Sequence, residues 1–208
     1  MNGRLFGKRL LAAVFLLAAV GGACARRSVP TAEEPTPQPP ALGGHAVLVL
    51  PVQPAPWVTA PADAVLLPRA ADAEIAFWLQ DRGARVRWVF PPELERFIDR
   101  SPGLDIRLRA LAVERFRSAE VKRIGDPLYG DLRRLAGLAD ARFALVPVAG
   151  AFVPAEGGGV AAEIAAALID TFDGSVRWFG LVRGSPGARD DPARLASVAQ
   201  ALARALVR

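Results

Sequence analysis

Two pairs of carboxylates and one imidazole are the residues here whose types and spacing suit catalysis. Glu93/Glu95 and Asp126/Asp131, the latter flanking Tyr129, are the kind of acids that glycoside hydrolases use. One acid of such a pair protonates the leaving oxygen while the other carboxylate assists attack at the sugar. Each pair also has a plainer reading. Asp126 directly precedes Pro127, an N-cap with proline in the first helical turn, and the other acids suit a solvated helix surface. His45 is the only histidine and stands before the first expected strand, and no GxSxG occurs, so a Ser-His-Asp triad is not expected. Gly157-Gly158-Gly159 lacks the lysine and Ser/Thr of a phosphate loop and reads as a connector. With one histidine and one cysteine, no metal site is expected and no cofactor is implied.

The one cysteine has a context of its own. Arg4, Lys8 and Arg9 precede an apolar run from Leu10 to Val20, followed by Gly21-Gly22-Ala23 and then Cys24. A positive start, an apolar centre and small residues at a cleavage point make an export signal. The apolar run covers about 15 residues at most, against roughly 20 for a membrane-spanning helix. Packing as a small hydrophobe suits Cys24 poorly, because the residues after it have no core composition. A free thiol pairing between molecules is the other reading.

The junction resembles the lipobox of bacterial lipoproteins, in which the residue after the cut is a lipid-modified cysteine. The lipobox prefers leucine three residues before that cysteine, where this chain has Gly21, with Val20 one step further out. The resemblance implies cleavage between Ala23 and Cys24 and lipid on Cys24. It also implies anchorage to a membrane of the cell envelope by several acyl chains. Each buried methylene of such chains contributes about 0.8 kcal/mol. Ala25 resembles the residues that permit sorting to the outer membrane, facing the periplasm.

The quoted net charge of +5 includes the leader. Without Arg4, Lys8 and Arg9 the 26 basic residues fall to 23 against 21 acids, about +2. So small an excess gives nucleic acid no concentrated basic face, and nucleic acid is not an expected partner. From Ala25 to Gly44 the chain is rich in proline and small residues without apolar periodicity, which reads as an extended tether. The expected organisation is a signal peptide over 1–23, a lipidated cysteine and tether over 24–44, and one domain over 45–208. Half of the chain is hydrophobic (52%), enough for a sizeable core without disulfides.

Elements follow from periodicity. His45–Val52 is a continuous apolar run of the kind buried on both sheet faces. Gln53–Pro68, with Trp57, reads as a loop. Ala70–Arg82 reads as a helix with Ala73, Ala76, Phe77 and Gln80 on its apolar stripe, widened by Ile75, Trp78 and Leu79. Gly83 stands where a left-handed cap is wanted. Ala84–Phe90 alternates as a half-buried strand, Val86, Trp88 and Phe90 facing one way, and Pro91-Pro92 starts a short helix. Ser101–Gly125 mixes both periods and is expected to hold one or two short helices. A helix after Asp126-Pro127 should bury Leu128, Leu132, Leu135 and Leu138, and Ala141–Val148 is the next strand. Val160–Ile169 suits either state, but Asp173-Gly174 is a hairpin turn and makes it the partner of Val176–Val182. A last helix after Asp191-Pro192 carries Leu195, Val198, Ala199, Leu202 and Leu206 on one stripe. The expectation is an α/β (α+β) domain, a mixed sheet of about five strands packed by helices.

This order, with VLVLPV opening it, ALVPV as a later strand and Leu168–Trp178 around the Asp-Gly turn, resembles a group of small α/β envelope lipoproteins. The group includes the curli secretion-channel lipoprotein, the lipoprotein activators of penicillin-binding proteins and the amino-terminal domain of the Tol β-propeller protein. The resemblance spans Val47 to Trp178 and transfers no functional residue. It implies a non-catalytic binding or assembly factor whose partner is an envelope protein or peptidoglycan, and not an enzyme. Trp178 is expected to pack against the sheet or, alternatively, to meet a partner. A carboxylate-dependent wall or glycan hydrolase is the competing expectation. A structural lipoprotein without a specific ligand is the third.

Overall fold

The computed structural model describes residues 38–53, 68–117, 121–155, 158–188 and 191–207. Ala23, Cys24, the leader and Trp57 lie outside the described residues. Strands β1 (Ala46–Val49), β2 (Arg87–Val89), β3 (Phe143–Pro154), β4 (Val160–Asp170) and β5 (Val176–Arg183) form one mixed sheet in the order β2-β1-β3-β4-β5. β1 runs parallel to both β2 and β3, and β3-β4-β5 is an antiparallel meander. Helices α1 (Pro68–Arg82), α2 (Pro91–Asp99), α3 (Leu128–Ala139) and α4 (Ala193–Leu206) complete the unit. The expected mixed α/β architecture is present.

Alternation along the strands divides the core between two faces. Val47, Val49, Leu145, Ile164 and Leu168 face α1 and α4. Leu48, Leu50, Ala144, Val146 and Ile169 face α2, α3 and the segment between them. That explains the unbroken apolar run of β1: it is central and covered on both sides. The fold takes up the chain before residue 45, since Leu42 is 4% exposed within the core and the Gly44 amide donates to the Arg85 carbonyl.

Several expectations need correction. α1 buries Ala71, Ile75 and Leu79, so Ala73, Phe77 and Gln80 face outward and Phe77 is 60% exposed. Gly83 is absent from the glycines with positive φ, and its reason is steric: a Cβ there would sit 2.6 Å from Trp88 Nε1. Trp88 Nε1 also donates to the Gly83 carbonyl at 3.2 Å. β2 is only three residues long and buries Val89 as well as Trp88, because α2 covers its second face. Leu138 turns outward from α3, whose buried stripe is Leu128, Leu132, Leu135, Ala136 and Ala139.

Between α2 and α3 the described chain is largely irregular, with one 3-10 turn at Glu114–Arg117 in place of one or two helices. Its apolar residues Ile106, Leu108, Leu111, Val113 and Phe116 are nevertheless buried. The buried Gln53 side chain ties this segment down. It donates to the carbonyls of Pro51 and Leu108, both at 2.7 Å, and accepts from the Leu111 amide at 3.1 Å. Backbone groups that a helix would pair are met by a side chain instead. On α4, Arg194 is buried beside the expected stripe, with its guanidinium 4.2 Å from the centre of the Phe152 ring.

Candidate functional site

The end of the sheet at which β1 and β3 begin and β4 turns into β5 gathers the most cationic and aromatic chemistry. Its centre is Asp170, the last residue of β4 and 1% exposed. A carboxylate so placed needs counter-charge. Arg177 supplies one guanidinium at 3.0 Å and Arg142 a second at 3.4 Å. Arg177 reaches it because β5 carries a bulge: Leu168 pairs with Trp178 and Ile169 with Val176, which leaves Arg177 as the extra residue. A bulge re-aims side chains on either side of it. Val176 is thereby moved to the α3 face while Trp178 stays on the α4 face, a departure from the uniform alternation expected of Val176–Val182.

The turn beyond Asp170 is held from several directions. The Phe172 amide donates to Asp170 Oδ1 at 3.1 Å, and the Phe172 carbonyl accepts from the Tyr129 hydroxyl at 2.7 Å. The Thr171 hydroxyl donates to the Arg142 carbonyl at 2.8 Å, with the Ala141 carbonyl at 3.0 Å. Gly174 has φ +73° and faces the Tyr129 ring, so only glycine fits the expected Asp-Gly turn here. The Ser175 side chain and amide hold the Asp173 carboxyl below its ordinary range, helped by Arg177 and Arg123 against some desolvation. The Ser175 amide donates to Asp173 Oδ1 at 2.8 Å.

With its backbone fixed at both amide and carbonyl, Phe172 projects its ring outward and is 82% exposed. It borders an open groove of about 770 Å³ lined also by His45, Arg133, Asp140, Arg142 and Thr171. Arg142 lies 5.4 Å from the Phe143 ring centre, and His45 meets that ring edge-on at 5.5 Å. Arg87 donates to the Ala139 and Asp140 carbonyls where α3 ends, with Asp140 in the left-handed region at φ 45°. The groove can offer guanidinium donors and an aromatic face. Among the described residues that line it, none are arranged as nucleophile, base and oxyanion donors.

The residues singled out in the sequence fall elsewhere or inside the fold. Trp178 is 4% exposed and lies against Gly180 in the core, so its indole offers no surface to a partner. Asp126 accepts from the Gly130 amide at 3.0 Å, and Asp131 pairs with Arg134 at 2.6 Å, three residues along α3. Glu93 and Glu95 are two apart on α2, a spacing that turns side chains away from each other. Glu95 borders a separate groove of about 430 Å³ beside the Asp72–Arg109 pair, without Glu93. Among the described residues no group of three or more His, Cys, Asp or Glu is placed to hold a metal ion. His45 is the one residue singled out in the sequence that joins the groove. Sequence reasoning missed Asp170, Arg142, Arg177 and Phe172, and only the Asp-Gly turn between them was a signal.

No protein-family model matches the chain, and no curated protein matches it. Among solved structures, the chain is similar to a PelC dodecamer from Paraburkholderia phytofirmans, with a TM-score of 0.44 and 14% identity over 83% of this chain and 96% of that one. A point variant of the PelC dodecamer from the same organism gives a TM-score of 0.40 and 16% identity, covering 78% and 90% of the two chains.

Proposed function

We propose that the chain is a lipid-anchored envelope protein that acts as a non-catalytic binding or assembly factor, held to the outer membrane by lipid on Cys24. The observation that carries the reading is the junction itself: the sole cysteine ends an export leader and opens a proline-rich stretch that leads into a folded unit. The domain adds support of a different kind. Its candidate catalytic acids belong to a helix start, an exposed i,i+3 ion pair and opposite sides of α2. The partner we infer is an envelope protein or peptidoglycan.

Two measurements test this. Metabolic labelling with a fatty-acid analogue should mark the wild type and fail for Cys24→Ser; equal labelling of both would remove the anchor. Affinity capture from crosslinked envelopes should return the same partner in replicate, and its repeated absence would overturn the assembly-factor reading while leaving the anchor intact.

A further inference from the structure

The groove, the turn and the point where the chain joins the fold lie together. Gly44 and His45 line the same groove as Phe172 and Arg142, so the first strand enters the sheet beside it. The end is also unequal in charge. Arg87, Arg123, Arg133, Arg142 and Arg177 are exposed around the groove and turn against Asp140, Asp170 and Asp173, five cations to three acids, with Asp170 paired to Arg142 and Arg177. Among the described residues Phe172, on the turn, is the most exposed of the large apolar side chains. An outward aromatic ring and a surplus of arginines make the composition of an interfacial contact. Arginine forks match phosphate oxygens, and a ring held at that depth lies among headgroups.

We propose that this end of the domain rests directly on an anionic lipid surface, with the Phe172 ring among the headgroups and Arg123 and Arg133 on lipid phosphates. The proposal rests on the reading of Cys24 as the anchor, which would keep the domain close to a bilayer. The lipid contact itself needs no acyl chain. It is weak by design, since a single ring and a few charges bind reversibly and gain their effect once the domain is already tethered.

The test uses the unit Thr36–Arg208, which holds both faces of the core as described. In flotation with phosphatidylglycerol/phosphatidylethanolamine vesicles, this unlipidated unit should bind, and binding should fall steeply with salt and be lost on phosphatidylcholine vesicles. Arg133→Gln, which removes one surface charge, should weaken binding about fivefold, as one basic side chain near an anionic surface contributes. Phe172→Ser should weaken it by about tenfold on the same vesicles with circular dichroism unchanged. Inorganic phosphate at equal ionic strength should not displace the protein more than chloride does. Absence of vesicle binding, equal binding to neutral vesicles, or an unchanged Phe172→Ser variant would overturn the proposal. Displacement by phosphate alone would replace it with a soluble-anion pocket. None of these results bears on fatty-acid labelling of Cys24, so the surface and the anchor stand or fall separately.

Discussion

At the scale of single residues, the basic end is organised by one buried carboxylate. Asp170 accepts from the backbone of its own turn and from two arginines that approach from β5 and from the residue before β3. Asp170→Asn keeps an acceptor for the Phe172 amide but leaves Arg142 and Arg177 beside each other without a counter-charge. Breaking a fully buried pair costs several kcal/mol, but these guanidiniums are about half exposed and solvent compensates in part. The expected loss is about 2 kcal/mol, read as a lower urea midpoint with unchanged slope; a variant as stable as the wild type would show that the pairs contribute nothing net. This cluster was not legible in the sequence. Its members stand 28 and 7 residues from Asp170, and nothing local marks them as neighbours. The turn between them was legible, because Asp173-Gly174 has a conformational requirement that few other pairs meet.

At the scale of elements, the residues read best where one physical cause dominated. The stripe of α4 is set by burial alone, and Val198, Ala199, Leu202 and Leu206 are buried as the period requires. α1 misled because alanine-rich helices have several weakly apolar faces, and only the sheet beneath decides which one is buried. β5 misled for a local reason, the bulge at Arg177, which no alternating pattern announces. Gly180 looked like one more small residue in an alternating strand, but a Cβ on it would overlap the Trp178 ring folded across it. Gly180→Ala should therefore destabilise the domain by about 2 kcal/mol through overpacking in the strand. In a Trp178→Phe background the penalty should shrink, and the coupling is measurable by a double-mutant cycle. An equal penalty in both backgrounds would place its origin in the backbone rather than in the indole.

At the scale of the whole molecule, the sheet divides a chain of apolar strands into two cores with different coverings. One is a pair of long helices, α1 and α4, packed on each other and on the sheet. The other is α2, α3 and the largely irregular segment between them. The class of fold was legible because the element order and the meander's turn are written locally; the irregular cover was not, since Gln53 secures it across more than fifty residues of sequence. Cooperative protection should follow the same division. Amide exchange should be slowest in β3 and β4, which are paired on both sides and buried, and faster by orders of magnitude in β2, a three-residue edge strand. Equal protection of β2 and β3 would mean that the sheet opens only globally.

Leu42 adds a mechanical consequence. The chain is fastened into the core at Leu42, again at the Gly44–Arg85 hydrogen bond, and then runs straight into β1, which is bonded on both sides. Tension applied along β1 from the amino-terminal side therefore loads the ladders to β2 and β3 together, in shear, rather than peeling one hydrogen bond after another. A pull from the amino-terminal side would meet a strand held on both edges.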